Sequence, residues 1–346
     1  MLEALKNIVT NDSTAIIVAL SLLKKSIALI LVHIVKSAYI VIRIKEGAML
    51  KVEHLSKRFG DFQALKDVNF TIQPGEIMGL IGQNGAGKTT TFHSILNFLH
   101  YNGKITWKDQ PITEKTFDTI GYLPEERSLL PKMTIEQQIV YLAELKSRPA
   151  KEIKPQIDDW LKRFDVQGKK SDKIKTLSKG NQQKVQLICT LIHQPQLIIL
   201  DEPFSGLDPV NADLLKNAVL DAKKNNAAII FSSHDMSNVE EICDSLIMLK
   251  KGQVVLSGTV DAVRDSFGKT EIYCKTNKSL AELLQLPHVK KVEKKAHGQY
   301  LLRIDNENSG QEVFDALTNG EYVEEFRQQP PTLDEIFRME AGEQHE

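Results

Sequence analysis

The sequence predicts an α/β fold: a mainly parallel, buried sheet carrying a phosphate-binding loop, followed by a small α+β unit of ferredoxin-like order. Three observations carry this. Gly82-Gln83-Asn84-Gly85-Ala86-Gly87-Lys88-Thr89 follows an apolar strand and opens a helix, the context that a G-x-x-x-x-G-K-[ST] loop requires. Leu197–Leu200 and Ala228–Ser232 are short apolar runs, as in strands covered on both faces. Strand and helix patterns alternate from Met49 to about Gly258, the signature of an α/β core.

Leu50–His54 and Asp67–Ile72 read as strands around a turn at Gly60-Asp61. Glu76–Ile81 is the strand that enters the glycine loop. Thr89–Leu99 then reads as a helix with Phe92, Ile95, Leu96 and Leu99 on one face. Lys104–Trp107 and Thr119–Leu123 are short strands. Thr134–Lys146, with Ile135, Ile139, Leu142 and Leu145, and Pro155–Phe164 are helices of an insert spanning about residues 124–180. Val210–Lys224 is a helix between the two apolar strands.

Near Gly258–Gly268 the pattern shifts. Glu271–Lys275, Ser279–Leu284, Val289–Val292, Tyr300–Ile304, Gln311–Leu317 and Tyr322–Arg327 read β-α-β-β-α-β, a ferredoxin-like order. This unit, 270–346, holds nine Lys or Arg against fifteen Asp or Glu. Thr332 and Glu335 form a capping box that starts a short final helix.

Residues 1–48 stand apart. Ala15–Leu23 and Ser26–Val35 are apolar runs split by Lys24-Lys25. A spanning helix needs about 20 nearly uninterrupted apolar residues, so a single span is poor. Two readings fit: translated upstream DNA, with Met49 the natural start, or a basic helix on a membrane surface. No secretory cleavage site stands out.

The 346 residues give room for one large domain or two modest ones. A net charge of -1 gives no global basic field for nucleic acid. Cys189, Cys243 and Cys274 have no CxxC spacing, so neither a disulfide framework nor a zinc site is suggested and a reducing compartment fits.

The glycine loop predicts a nucleoside triphosphate site over Gly82, Gln83, Asn84, Gly85, Ala86, Gly87, Lys88, Thr89 and Thr90. Its backbone N–H groups turn inward around phosphate oxygens, Lys88 neutralises the β- and γ-phosphates, and Thr89 offers a hydroxyl to Mg²⁺. Ile198-Ile199-Leu200-Asp201-Glu202 ends a buried strand in two acids. Asp201 is placed for the metal and Glu202 for the attacking water; the blander reading is two structural acids capping a strand.

The series Gly82–Thr89, Leu177–Lys184, Ile198–Glu202, Ser205–Asp208 and Phe231-Ser232-Ser233-His234 resembles the nucleotide-binding domain of ABC transporters over about residues 49–258. The resemblance implies a P-loop NTPase fold of ABC type with a helical insert. It implies that Ser178, Lys179, Gly180 and Asn181 cap the nucleotide of a second copy in a head-to-tail dimer. It also implies that His234 contacts the γ-phosphate and that Asp208 links the two sites. Phe59 matches the base-stacking aromatic; the blander reading of a single aromatic is core. Two departures stand out: Lys179 and Asn181 where the family usually has Gly and Gln, and Glu125 where it has a Mg²⁺-touching glutamine. A carboxylate there still suits Mg²⁺.

Pro331–Phe337, Tyr122–Arg127 and Lys179-Gly180-Asn181 resemble single-domain ATPases that serve ABC-2-type exporters, including sodium and drug efflux systems. The expectation is an ATP-hydrolysing exporter subunit, peripheral on the cytoplasmic face of the membrane. It would homodimerise and power a separate multi-span permease, with no nucleic-acid partner. The alternative is a soluble non-transport ABC ATPase acting on a ribosomal or nucleic-acid partner.

Overall fold

The computed structural model describes residues 49–126, 128–320 and 322–342, all within the unit Ala48–Glu346. The expectations for segment 1–48 and for Arg127 lie outside the described residues.

The strands β1 (Leu50–Phe59), β2 (Phe62–Ile72), β4 (Asn102–Trp107) and β5 (Gln110–Pro111) form an antiparallel sheet in the order β2-β1-β4-β5. β3 (Ile77–Ile81), β6 (Ile120–Leu123), β7 (Leu197–Leu200), β8 (Ala228–Ser233), β9 (Ser245–Lys250) and β10 (Gln253–Thr259) form the second, in the order β10-β9-β3-β8-β7-β6. Its members run parallel except β10, which pairs antiparallel with β9 at the edge.

Alternation along these strands feeds two cores. Ile77, Ile81, Ile198, Leu200, Ile229 and Phe231 face the helices, while Met78, Leu80, Leu197, Ile199 and Ile230 face the antiparallel sheet. Fully burying each such side chain contributes about 1.5–3 kcal/mol. Sequence runs without polar alternation are thus explained by two covered faces.

Three expected helices are trimmed. The helix after the glycine loop is Lys88–Ile95. Asn97, at φ 56, turns the chain out of it, leaving Leu99 beyond the helix and Phe98 exposed. Ile135–Glu144 starts at the Thr134–Gln137 capping box, and Leu145, expected on its apolar face, is 60% exposed. The helix ends there, and Ala143 takes the core position instead. Pro155–Phe164 splits into a 3₁₀ turn Lys154–Gln156, which holds Pro155, and a helix Ile157–Arg163.

The last unit pairs β11 (Glu271–Lys275), β12 (Val289–Lys294), β13 (Gln299–Ile304) and β14 (Glu325–Gln329) in the order β12-β13-β11-β14, all antiparallel. Helices Leu280–Leu284 and Gly310–Thr318 cover one face through Leu283, Val313 and Leu317. β14 begins later than the expected Tyr322, because pairing Phe326 with Cys274 packs its ring, partly buried, against the small core while Tyr322 stays 88% exposed. The final helix Leu333–Ala341 starts at the Thr332–Glu335 box and buries Leu333 and Ile336 in the helix-side core of the parallel sheet. The N–H of Leu333 donates to Glu240 at 2.9 Å.

Candidate functional site

Parallel pairing brings the ends of four strands to one edge. Ile81 stands beside Ser233, Leu200 beside Phe231, and Leu123 beside Leu200. The residues that follow are therefore neighbours: Gly82 and its loop, Asp201-Glu202, His234, and Pro124-Glu125. Ligands of open α/β sheets bind at such carboxyl ends.

The loop needs its glycines for two different reasons. A Cβ on Gly82, at φ 153, would sit 2.5 Å from the Leu249 carbonyl oxygen, so Gly82 is a packing glycine. Gly85, at φ 80, has open space around it, so its requirement is the left-handed backbone that turns the loop. Ala86 is buried in the core and, like Gly82, does not line the cleft.

Lys88 is nearly buried; its Nζ donates to the Gly82 carbonyl at 2.7 Å and lies 3.5 Å from Glu202 Oε1. Thr89 Oγ1 donates to Asp201 Oδ2 at 2.9 Å. Ser232 Oγ donates to Asp201 Oδ1 at 2.7 Å and accepts the N–H of Glu202 at 2.7 Å. Glu202 has φ 47, an uncommon conformation for a residue with a Cβ and one that collects at functional sites. Its Oε2 meets His234 Nδ1 at 2.9 Å, while the buried Oε1 accepts no hydrogen bond among the described residues. Its ionic partner is Lys88, at 3.5 Å; when that cation turns to another anion, the carboxylate of this cleft-lining residue is suited to accept a proton from a bound water.

The cleft has a volume of about 400 Å³. It is lined by Gln83, Asn84, Gly85, Gly87, Lys88, Thr89 and Thr90 of the glycine loop, by the acids Glu125, Asp201 and Glu202, and by Phe59, Phe62 and Ala64 of the β1–β2 hairpin. Glu125 is exposed and also lines an adjoining cleft of about 520 Å³ with Gln183, Gln186 and Ser205. Tyr122 lies below; burial, then Asp201 and Glu125, push its hydroxyl up to about 12.

Ser178, Lys179, Gly180, Asn181 and Asp208 do not line this cleft. Ser178 caps helix Lys179–Leu191, accepting the N–H of Asn181 at 3.3 Å, and Asn181 Oδ1 accepts the N–H of Gln167 at 3.0 Å. Lys179 is exposed and Gly180 has nothing within 4 Å of a would-be Cβ. Asp208 caps helix Pro209–Lys224, and the Asn211 N–H holds its carboxyl below the usual range.

For Mg²⁺ the donors are hard oxygens: Thr89 Oγ1 and Asp201 Oδ2, already 2.9 Å apart, and the Glu125 carboxylate on the same cleft. Mg²⁺ takes one or two carboxylates and completes its shell with phosphate and water, so the set fits.

Sequence reading missed Phe62 and Ser232. Phe62 had no motif to mark it. Ser232 stood inside the string Phe231-Ser232-Ser233-His234 without a role of its own, and its hydrogen bonds span 31 and 30 residues in sequence.

Residues 65–205 match the family described as ABC transporter, and residues 258–341 match the C-terminal domain of DrrA1-3-like ATP-binding proteins. The uncharacterized ABC transporter ATP-binding protein YhaQ of Bacillus subtilis is 42% identical over 299 residues, 86% of this chain and 100% of YhaQ. The lipopolysaccharide export system ATP-binding protein LptB of Haemophilus influenzae is 27% identical over 65% of this chain and 97% of LptB. A solved ATP-binding subunit of an ABC transporter superposes with a TM-score of 0.60 at 32% identity, covering 64% of this chain and 93% of that one.

Proposed function

The chain belongs to the ATP-binding subunits of ABC transporters and is an ATPase, and we propose that it drives an exporter as a homodimer bound to a separate multi-span permease. The observation that carries the dimer is where the capping helix stands. Ser178 and Gly180 do not line their own chain's cleft, and the space beside Gly180 is open. A helix N-terminus with no phosphate in its own chain suits the γ-phosphate of a second copy.

In this reading the loop Gly82–Thr90 holds the triphosphate. Thr89, Asp201 and Glu125 would hold Mg²⁺, which neutralises charge on the phosphate oxygens when bound. Phosphate in the loop competes for Lys88, which otherwise reaches Glu202 at 3.5 Å. Glu202 orients the attacking water and receives its proton at Oε1. The water oxygen bonds to the γ-phosphorus, and the bond to the ADP oxygen breaks. His234, 2.9 Å from Glu202 Oε2, positions that carboxylate and reaches the γ-phosphate. Asp208 couples the two sites.

Export is supported by the short sequence strings Tyr122–Arg127, Lys179-Gly180-Asn181 and Pro331–Phe337, by the DrrA1-3-like C-terminal match, and by a relative named for lipopolysaccharide export. No helix among the described residues is long and apolar enough to cross a membrane. In this reading a separate chain carries the spanning path, and this subunit sits peripherally on the cytoplasmic face. Affinity purification from solubilised membranes tests it. The expected result is a co-purifying multi-span protein that stimulates ATP hydrolysis. Stimulation by ribosomes or DNA, with no membrane partner, would overturn it.

A further inference from the structure

The hairpin tip beside the phosphate loop carries two exposed phenylalanines, of which the sequence motifs explain one. β1 and β2 pair Phe59 with Phe62 across Gly60-Asp61. Phe59 is 46% and Phe62 66% exposed, and both line the cleft. Two large rings in a polar cleft have the make-up of a ligand contact.

One side of Phe59 is already occupied. Lys57 Nζ lies 4.7 Å from the centre of its ring and donates to the His100 carbonyl at 2.6 Å. Lys57 does not line the cleft, so it backs the ring from behind. Phe59 therefore offers one face, and a fused purine is larger than that face. Phe62, paired with it across the turn, supplies the additional apolar area. Ala64, on the same strand as Phe62, is the third hairpin residue that lines the cleft, and none of the three side chains has a donor or acceptor for a base edge. Sites that hydrogen-bond a substrate's polar groups discriminate by orders of magnitude; stacking is tolerant, because every base has a π-face.

Resting on the ATP-binding role of the cleft, we propose that Phe62 is a second base-contact residue. The Phe59–Phe62 tip then selects purine over pyrimidine by stacking area and does not distinguish adenine from guanine.

Calorimetric binding of ATP, GTP, CTP and inorganic tripolyphosphate to the full chain tests this. The parent should bind ATP and GTP within about threefold of each other, and CTP about tenfold more weakly. Phe62→Ala should weaken ATP and GTP about five- to tenfold, narrow the gap to CTP, and leave tripolyphosphate unchanged. Phe62→Trp should restore the parent pattern. Unchanged ATP binding in Phe62→Ala overturns the base contact, as does an equal loss of tripolyphosphate. A roughly hundredfold preference for ATP over GTP overturns the stacking rule. Separately, a Lys88→Ala variant that still binds tripolyphosphate would overturn the nucleotide role of the cleft itself.

Discussion

Ser232 Oγ stands 2.7 Å from Asp201 Oδ1 and donates to it, while the same oxygen accepts the N–H of Glu202. One fully buried hydroxyl thus holds both acids of the site and pins Glu202 in its left-handed backbone. Removing it leaves a buried N–H and a carboxylate oxygen short of partners, which costs about 1–3 kcal/mol. Ser232→Ala should keep ATP binding within a few-fold of the parent and lower kcat by roughly 10–100-fold. Hydrolysis at the parental rate would remove Ser232 from the positioning of the acids.

Glu202→Gln keeps the side-chain shape and removes the base. ATP should still bind, hydrolysis should fall by about 10²–10⁴-fold, and the ATP-bound chain should elute at twice its mass. An ATP-loaded variant that stays monomeric would contradict the shared site.

Ser178→Arg places a long cation at the N-terminus of the capping helix, outside its own chain's cleft. Nucleotide binding should persist and hydrolysis should stop. Mixing this variant with Lys88→Ala supplies one intact composite site, so activity should return in the mixture although each variant alone is inactive. No recovery on mixing would mean that the capping residues do not act on the partner's nucleotide.

The C-terminal unit should respond to pH through Glu271. Burial, then the charge of Glu335, pushes its carboxyl up to about 7 from an ordinary 4.5. Protonated Glu271 stabilises the fold below pH 4.5, and that contribution is lost as pH rises toward 7. Burial also opposes charge on Glu335, but hydrogen bonds from Thr332 outweigh it and hold that carboxyl low. Its contribution is lost only on acidification below 4.5. His288, raised chiefly by its hydrogen bond to Glu312, loses its contribution with rising pH, whereas His193, lowered to about 4 by burial, works in the opposite sense. Denaturant unfolding at pH 5.5 and 8 should therefore compare the parent with Glu271→Gln. The parent should lose about 1–3 kcal/mol more than the variant over that interval. Equal losses would show that Glu271 does not titrate there.

Much of this molecule was legible because its signals are local. A glycine loop between a strand and a helix, an apolar run ending in two acids, and the capping box at Thr332 depend on neighbours within a few residues. Element ends were less legible. Helix Lys88–Ile95 stops where Asn97 turns left-handed, and β14 begins where Phe326 can pair with Cys274; the second choice depends on a strand 52 residues away in the numbering, from Cys274 to Phe326.

The sequence by itself determined the chemistry: a triphosphate loop, an acidic strand end, and a histidine after a second apolar strand. Tertiary structure decided how these groups meet. Parallel register set Gly82, Asp201 and His234 on one edge. A serine to which its motif string gave no role then tied the acids together, and a hairpin tip brought Phe62 to the cleft beside Phe59. The physical reason is distance along the chain. Hydrogen bonds across 30 residues and the space left beside Gly180 depend on how strands and helices pack, and no local pattern encodes them.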